Sequence, residues 1–318
     1  MKLIITGGRQ SDSKLSYFNK EWNNGIEGVV LEYDTISKSI EEKFTYITPE
    51  KFRPLKNFSI SFKSGAIYKN KLFLTTLTEV LIIKLPNYEI LDIISLKIFN
   101  DLHHVIHHKG DLFIVITGLD LVIRYSLSEK KIKTYYNCYP EIDTWKKFDK
   151  EVDYRKFNTT KPHSSHPNHV SIINNQVYVT RYKQQDVLIF SLDGKIINKI
   201  PLNYGIPHDG LLFNDKMIYT TVNGKIIYVN KKNQKVDKLF DLNIHERSGR
   251  SLGWCRGFQK VKSVNIVGFS RIRPTKFVEN IKWLGSKVSD KLKLKMHTRI
   301  VFYRSEEHTS ELQSPDHL

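Results

Sequence analysis

Short apolar runs alternate with polar residues along the whole chain, and each run ends within a few residues at Gly, Asn, Asp or Pro. Helical periodicity is almost absent, so the pattern predicts strands. The runs group in fours. Residues 58–97 divide into 59–62, the turn Lys69-Asn70, 72–76, 80–85 and 90–96, and the same division fits 102–138, 167–202 and 207–242. A small polar turn follows the first strand of each: Lys109-Gly110-Asp111, Asn174-Asn175, Asn214-Asp215. Four antiparallel strands recurring at about forty residues mark a propeller blade. The ends supply partial units. Residues 2–6, 28–33 and 43–46 read as the second, third and fourth strands of a first blade, and 254–261, 264–269 and 299–303 as the first three strands of a sixth. The expectation is an all-β, six-bladed β-propeller with incomplete terminal blades, a single domain over 1–303.

Two stretches break the period. Residues 139–165 are inserted between blades and carry Trp145, Phe148, Tyr154 and Phe157; residues 279–297 place Ile281, Leu284, Val288 and Leu292 at a spacing that predicts a short amphipathic helix. In a propeller, the connection entering a first strand and the turn between the second and third strands lie at the same end of the blade. The first insertion is therefore expected over that end.

The polar positions repeat as well. Eight residues upstream of Leu72, Leu112, Val177, Met217 and Val264 stand Ser64, His104, His169, Asp209 and Arg256, and the positions before these hold Lys63, His103, Asn168, His208 and Cys255. Residues at one phase of a repeat gather at one place in the fold. Thr117, Asp120, Arg181, Asn223 and Arg271 approach the same place from the turns after the second strands, and His163 and His166 approach it from the insertion. Strand side chains alternate in direction, so His103 and His104 point the same way only if a bulge intervenes.

Histidine binds metals and transfers protons near neutral pH. His104, His169 and His208 could together hold a divalent metal with a position open for substrate. Without metal, His104, His169 and Asp209 are acid-base candidates, with Arg181, Arg256, Asn168, His103 and Arg271 as ligand-binding groups for a small polar or anionic molecule. A third reading is structural, in which these residues only hydrogen-bond neighbouring blades. His107, His108 and His245 fall on the opposite face or in loops and read as surface residues. Ser164, Ser165 and Ser251 lack a GxSxG elbow, so nothing marks a serine nucleophile.

Charge and composition narrow the classes. At 40% apolar and 12% aromatic residues the chain has ample material for a core. The formal charge is +17. Its lysines are scattered through every segment, which argues against a nucleic-acid footprint; only 130–133 and Lys291, Lys293 and Lys295 cluster, and they suit a scaffold that docks another macromolecule or an anionic surface. Cys138 and Cys255 form neither a disulfide framework nor a zinc pattern. No apolar run approaches the ~18 residues of a membrane span, and the start lacks a signal-peptide core, so the expected location is cytoplasmic. Arg304-Ser305-Glu306-Glu307-His308-Thr309-Ser310-Glu311-Leu312-Gln313-Ser314 resembles the in-frame translation of a sequencing-adapter oligonucleotide. The native sequence is then expected to end near Tyr303; without 304–318, which hold one Arg against three Glu and one Asp, the charge is +20.

Five short motifs occur in a shared order: Leu102-His103-His104-Val105; His166-Pro167-Asn168-His169-Val170 with Tyr178-Val179-Thr180; Pro207-His208-Asp209-Gly210; Gly253-Trp254-Cys255-Arg256-Gly257-Phe258; and Val267-Gly268-Phe269-Ser270. Over roughly 100–275 the chain resembles a family of conserved hypothetical bacterial proteins predicted to be β-propellers and lacking an assigned activity. That family has Leu-Asn-Gly where this chain has Pro167-Asn168-His169. The resemblance implies a propeller and no particular chemistry. A looser similarity links the chain to six-bladed lactonase and strictosidine-synthase-like propellers. Those use acidic and amide metal ligands, which the histidine-rich positions here do not reproduce.

Overall fold

The structure, a computed structural model, describes residues 1–10, 25–56, 58–245, 252–270, 298–304 and 309–312. Its strands form six antiparallel sheets in chain order, which makes the fold a six-bladed β-propeller. The first sheet has three strands, β1 (Lys2–Gln10), β2 (Gly25–Asp34) and β3 (Ile40–Tyr46). The second has β4 (Gly65–Tyr68), β5 (Lys71–Thr75), β6 (Val80–Lys84) and β7 (Glu89–Ile94), and the third β8 (Leu102–His108), β9 (Asp111–Ile116), β10 (Leu121–Ser126) and β11 (Lys131–Asn137). β12 (Pro167–Ile173), β13 (Gln176–Arg181), β14 (Asp186–Ser191) and β15 (Ile196–Pro201) make the fourth. β16 (Pro207–Phe213), β17 (Lys216–Thr221), β18 (Lys225–Asn230) and β19 (Val236–Asp241) make the fifth. The sixth joins β20 (Trp254–Val261), β21 (Val264–Ser270) and β22 (Arg299–Arg304) to β23 (Thr309–Leu312).

Both terminal sheets contain the strands predicted for them. The sixth is completed from the adapter-like segment, with β23 running antiparallel to β22 from Ile300↔Leu312 to Tyr303↔Thr309. One predicted strand is corrected. Residues 59–62 do not open the second sheet, whose first strand is β4, paired Tyr68↔Lys71 to Gly65↔Leu74. Instead they run beside the first sheet: Ile60 N–H donates to Gly25 O at 2.8 Å and Phe62 N–H to Gly7 O at 2.9 Å. Their alternating Ser-Ile-Ser-Phe pattern is that of a half-buried strand, and it was the partner sheet that the pattern left open. The predicted helix over 279–297 lies outside the described residues.

By internal contacts the chain divides into two compact units, Met1–Val179 with Phe190–Ile197, and Thr180–Ile189 with Asn198–Leu318. In the first, β9 is buried at all six positions. Strict alternation fails there because both faces of an inner strand are covered. Its core joins Phe73, Val80, Phe99, Leu102, Leu112, Ile114 and Leu121, each contributing about 1.5–3 kcal/mol on burial. The insertion belongs to this core. Tyr154 is buried in it, Trp145, Phe148 and Val152 pack against it, and Asn100 Nδ2 donates to the carbonyls of Tyr154 and Phe157, both at 2.9 Å. The short helix α1 (Thr144–Lys147) starts where Asp143 accepts the Trp145 N–H at 2.7 Å. In the second unit Ile218, Ile226, Leu242, Leu252, Val267 and Phe269 form the core. Among the described residues no helix is long and apolar enough to cross a membrane.

One irregularity recurs in the first strands. Pairing of β8 with β9 jumps from Leu102↔Ile116 to Val105↔Ile114, so His103 and His104 together oppose Val115. Between β16 and β17 the jump sets His208 and Asp209 against Thr220; between β20 and β21 it sets Arg256 and Gly257 against Gly268. In the second sheet Lys63 N–H donates to Thr75 O at 2.9 Å while Thr75 N–H donates to Ser64 O at 3.2 Å, the same two-against-one arrangement. These are β-bulges, which re-aim the two extra-length residues. The residue opposite is confined. A Cβ on Gly268 would lie 2.5 Å from Arg256 O, whereas one on Gly7 would meet nothing within 4 Å. Gly268→Ala is therefore expected to cost about 1–3 kcal/mol in urea unfolding, with Gly7→Ala near neutral; equal effects of the two would show that the bulge does not crowd its partner.

Candidate functional site

The bulges account for the paired polar columns. In the sixth sheet they also correct the phase by one residue. The bulged pair is Arg256 and Gly257, and Cys255 is fully buried core; β21 begins at Val264, so Asn265 rather than Val264 is the counterpart of Leu112 and Met217.

In the first unit the β8 bulge meets the end of the insertion in a cluster of imidazoles. Asp120, in a left-handed conformation (φ 55°) after the β9 strand, organises it. Its carboxylate accepts the N–H groups of Ser164 (2.7 Å), Ser165 (2.9 Å) and His166 (2.8 Å), and Lys147 Nζ at 3.2 Å. Charge-assisted bonds of this kind are strong. They hold His166 itself left-handed (φ 58°) and bring its ring within 5.2 Å of His103 and 5.0 Å of His163, centroid to centroid.

The hydrogen bonds are consistent with one set of neutral tautomers. Thr160 has one hydroxyl proton, donated to Gly118 O, so the Thr160 oxygen accepts from His163 Nε2–H at 3.4 Å. His163 Nδ1 is then an acceptor, and His166 Nδ1–H donates to it at 2.7 Å. His103 Nδ1–H donates to Asp101 O at 2.9 Å, and the Asp101 carboxylate stands 3.7 Å from the same nitrogen. In this arrangement His103 and His166 each carry their acceptor on Nε2. The Asp101 and His103 side chains retain 24% and 13% of their surface.

Burial, reinforced by His103, pushes the His166 pKa down to about 2, and burial likewise lowers that of His163 against the pull of Asp101 and Asp120. Both rings are neutral at physiological pH. Burial alone would raise Asp101, but attraction to the Lys63 ammonium and to the protonated form of His103 outweighs it and holds the carboxyl well below its usual range. His163, His166 and Asp120 were expected at this end of the blade from the sequence, although not among the residues chosen as ligands or acid-base groups; Asp101 was not named at all.

The selected residues fall into several environments. His104 is 5% exposed and stacks on His169 at 4.0 Å and 28°. Its Nδ1 accepts Val170 N–H at 3.4 Å. Imidazole lone pairs lie in the ring plane, so two rings stacked this way do not converge on one metal at bonding distance; among the described residues no group of three or more His, Cys, Asp or Glu is placed to hold a metal ion. Asn168 is buried beside His169. In the second unit Asp209 accepts Gly257 N–H at 2.6 Å and lies 3.2 Å from His208 Nδ1, while Thr180 Oγ1 donates to His208 O at 3.2 Å. Arg181 is 4% exposed and donates bidentately to Asp186 at 2.7 and 2.6 Å, so its charge is already matched. The Arg256 guanidinium lies 5.3 Å from the Trp254 ring. Arg271 is outside the described residues. His107 is corrected from a surface residue to a half-buried one, stacked on Tyr68 at 4.2 Å and near Phe73 at 5.3 Å. Lys131 and Lys133 both close on Glu129, which removes much of the expected basic patch.

The fold and these clusters define a β-propeller with a histidine-lined blade end. The structure is similar to the crystal structure of a protein of unknown function from Bacteroides caccae, with a TM-score of 0.60 and 10% identity over 96% of this chain and 92% of that one. At that identity the likeness concerns the fold, and it agrees with the resemblance to propellers without assigned activity. No family model and no curated protein matches the chain.

Two outcomes follow from the cluster. Asp120→Ala leaves three amides and an ammonium without their acceptor, and is expected to lower unfolding free energy by about 3–5 kcal/mol; a loss under about 1 kcal/mol would deny Asp120 its organising role. Neutral buried imidazoles also set a pH slope. Because their folded pKa values are depressed, the unfolded chain takes up protons that the folded one refuses, so stability is full above about pH 6.5 and falls below it by about 1.4 kcal/mol per pH unit per imidazole. Asp101 acts only below its unfolded carboxyl range, outside this window. His166→Asn, which tolerates the left-handed backbone, should flatten the slope measured by urea unfolding between pH 7 and 5; an unchanged slope would mean that His166 protonates freely.

Proposed function

We propose that the chain binds a small polar or anionic molecule beside His103 and Asp101, and that His103 exchanges a proton with it. The observation carrying this reading is the relay from Thr160 through His163 to His166, packed against a His103 whose tautomer is set by Asp101. A ring fixed as Nδ1–H offers Nε2 as a base, and a carboxylate 3.7 Å behind it stabilises the imidazolium once formed. Lys63 adds positive charge for an anionic group. His104 and Asp209, each accepting a backbone N–H, serve in this reading to hold first strands in place. Metal assistance through His104, His169 and His208 is not part of it.

The test is NMR of protein labelled with 15N-histidine, titrated with phosphate, citrate and a set of sugar phosphates. A binding member is expected to shift the His103 and His166 ring signals together, and His103→Gln to abolish the effect with little change in melting temperature. Where turnover of such a ligand is found, His103→Gln should lower kcat by about 10²–10⁴. Ligands that shift only His208 or none of the rings would sink this reading.

A further inference from the structure

A second candidate site lies wholly within the second unit and involves none of the histidines above. A cavity of about 340 Å³ is lined by Phe213, Asn214, Asp215, Lys216, Ile218, Tyr228 and Lys260. That size sits at the lower end of small-molecule sites. β16 supplies Phe213, the β16–β17 turn Asn214 and Asp215, β18 Tyr228 and β20 Lys260.

Lys260 is the unusual member. Its ammonium is half-buried, 5.5 Å from the Phe213 ring centroid and 5.9 Å from that of Tyr228. Its hydrogen-bond acceptor is the neutral Asn265 Oδ1 at 3.0 Å, which also takes the Tyr228 hydroxyl at 3.3 Å. Among the described residues no carboxylate lies within 4.0 Å of it. Lys216, by contrast, is closed on Asp237. Asp215 lines the rim but is exposed, where water and salt screen its charge. Burial, then repulsion from Lys238, lowers the Lys260 pKa, so the amine gains from any anion brought beside it.

We infer that this cavity binds a small carboxylate with an apolar or aromatic body, its carboxylate on Lys260 Nζ and its body against Phe213, Ile218 and Tyr228. The apolar walls alone would favour neutral hydrophobes and the ammonium alone any anion; together they select molecules carrying both features. Site and ligand are independent of the function proposed above.

The probe is benzoate, followed by calorimetry and saturation-transfer NMR on the full chain. The native protein is expected to bind it at millimolar or better concentration, with benzamide binding at least tenfold more weakly because it lacks the charge. Lys260→Met, which keeps the apolar stem, should weaken benzoate at least tenfold; Lys260→Arg, which keeps the charge, should stay within a few-fold and serves as the folded control if the methionine variant fails to fold. Equal benzoate affinity in native and Lys260→Met protein, equal affinity for benzamide, loss of binding in Lys260→Arg, or no transfer up to about 10 mM benzoate would each overturn the inference.

Discussion

A strand with strict alternation can aim only every second residue at a given surface, and the two-against-one bulge is how this chain escapes that constraint. The extra residue in the first strand lets His104 follow His103, and Asp209 follow His208, without sending one of each pair into the opposite face. The device has a cost in freedom. The residue facing each bulge must be compact or make room, and at Gly268 the facing carbonyl leaves no space for a side chain. The bulges also place backbone N–H groups where side chains reach them, as Asp209 reaches Gly257 in the second unit. Polar columns, small facing residues and cross-sheet bonds are thus three expressions of one change in register.

What could be read from the sequence was whatever has a period. Four-strand groups, their turns and the partial terminal units follow from alternation and turn residues, both of which are local. Residues 59–62 were misplaced because alternation marks a strand without saying which edge it joins, and here the edge is that of β1 and β2, reached through Gly7 and Gly25. The sixth column slipped by one because an apolar Val264 at the start of β21 looks like the apolar residue that elsewhere stands one place later.

The imidazole cluster was only half visible for a different reason. His103 sits in the repeat, and His163, His166 and Asp120 could be placed at this end from the insertion and the turn, but the left-handed backbone at Asp101, Asp120 and His166 and the bonds from Asp120 that bring the rings together leave no spacing to detect. Charge showed a similar limit. Arg181 reads as an open cation until Asp186, five residues away across a turn, is found to occupy its guanidinium fork. Lys131 and Lys133 read as a basic patch until both are seen on Glu129. Composition counts charges, whereas recognition depends on which of them remain uncompensated.

The Asp120 carboxylate takes its three amide protons from the main chain of Ser164, Ser165 and His166. A bond to the main chain is indifferent to which side chain the donor residue carries. In evolutionary terms these bonds constrain the acceptor but not the identity of the side chains at residues 164 and 165, so an analysis of residue pairs that change together would leave this contact unmarked. A blade end of this kind can keep its shape through long divergence while its chemistry is rewritten beside it.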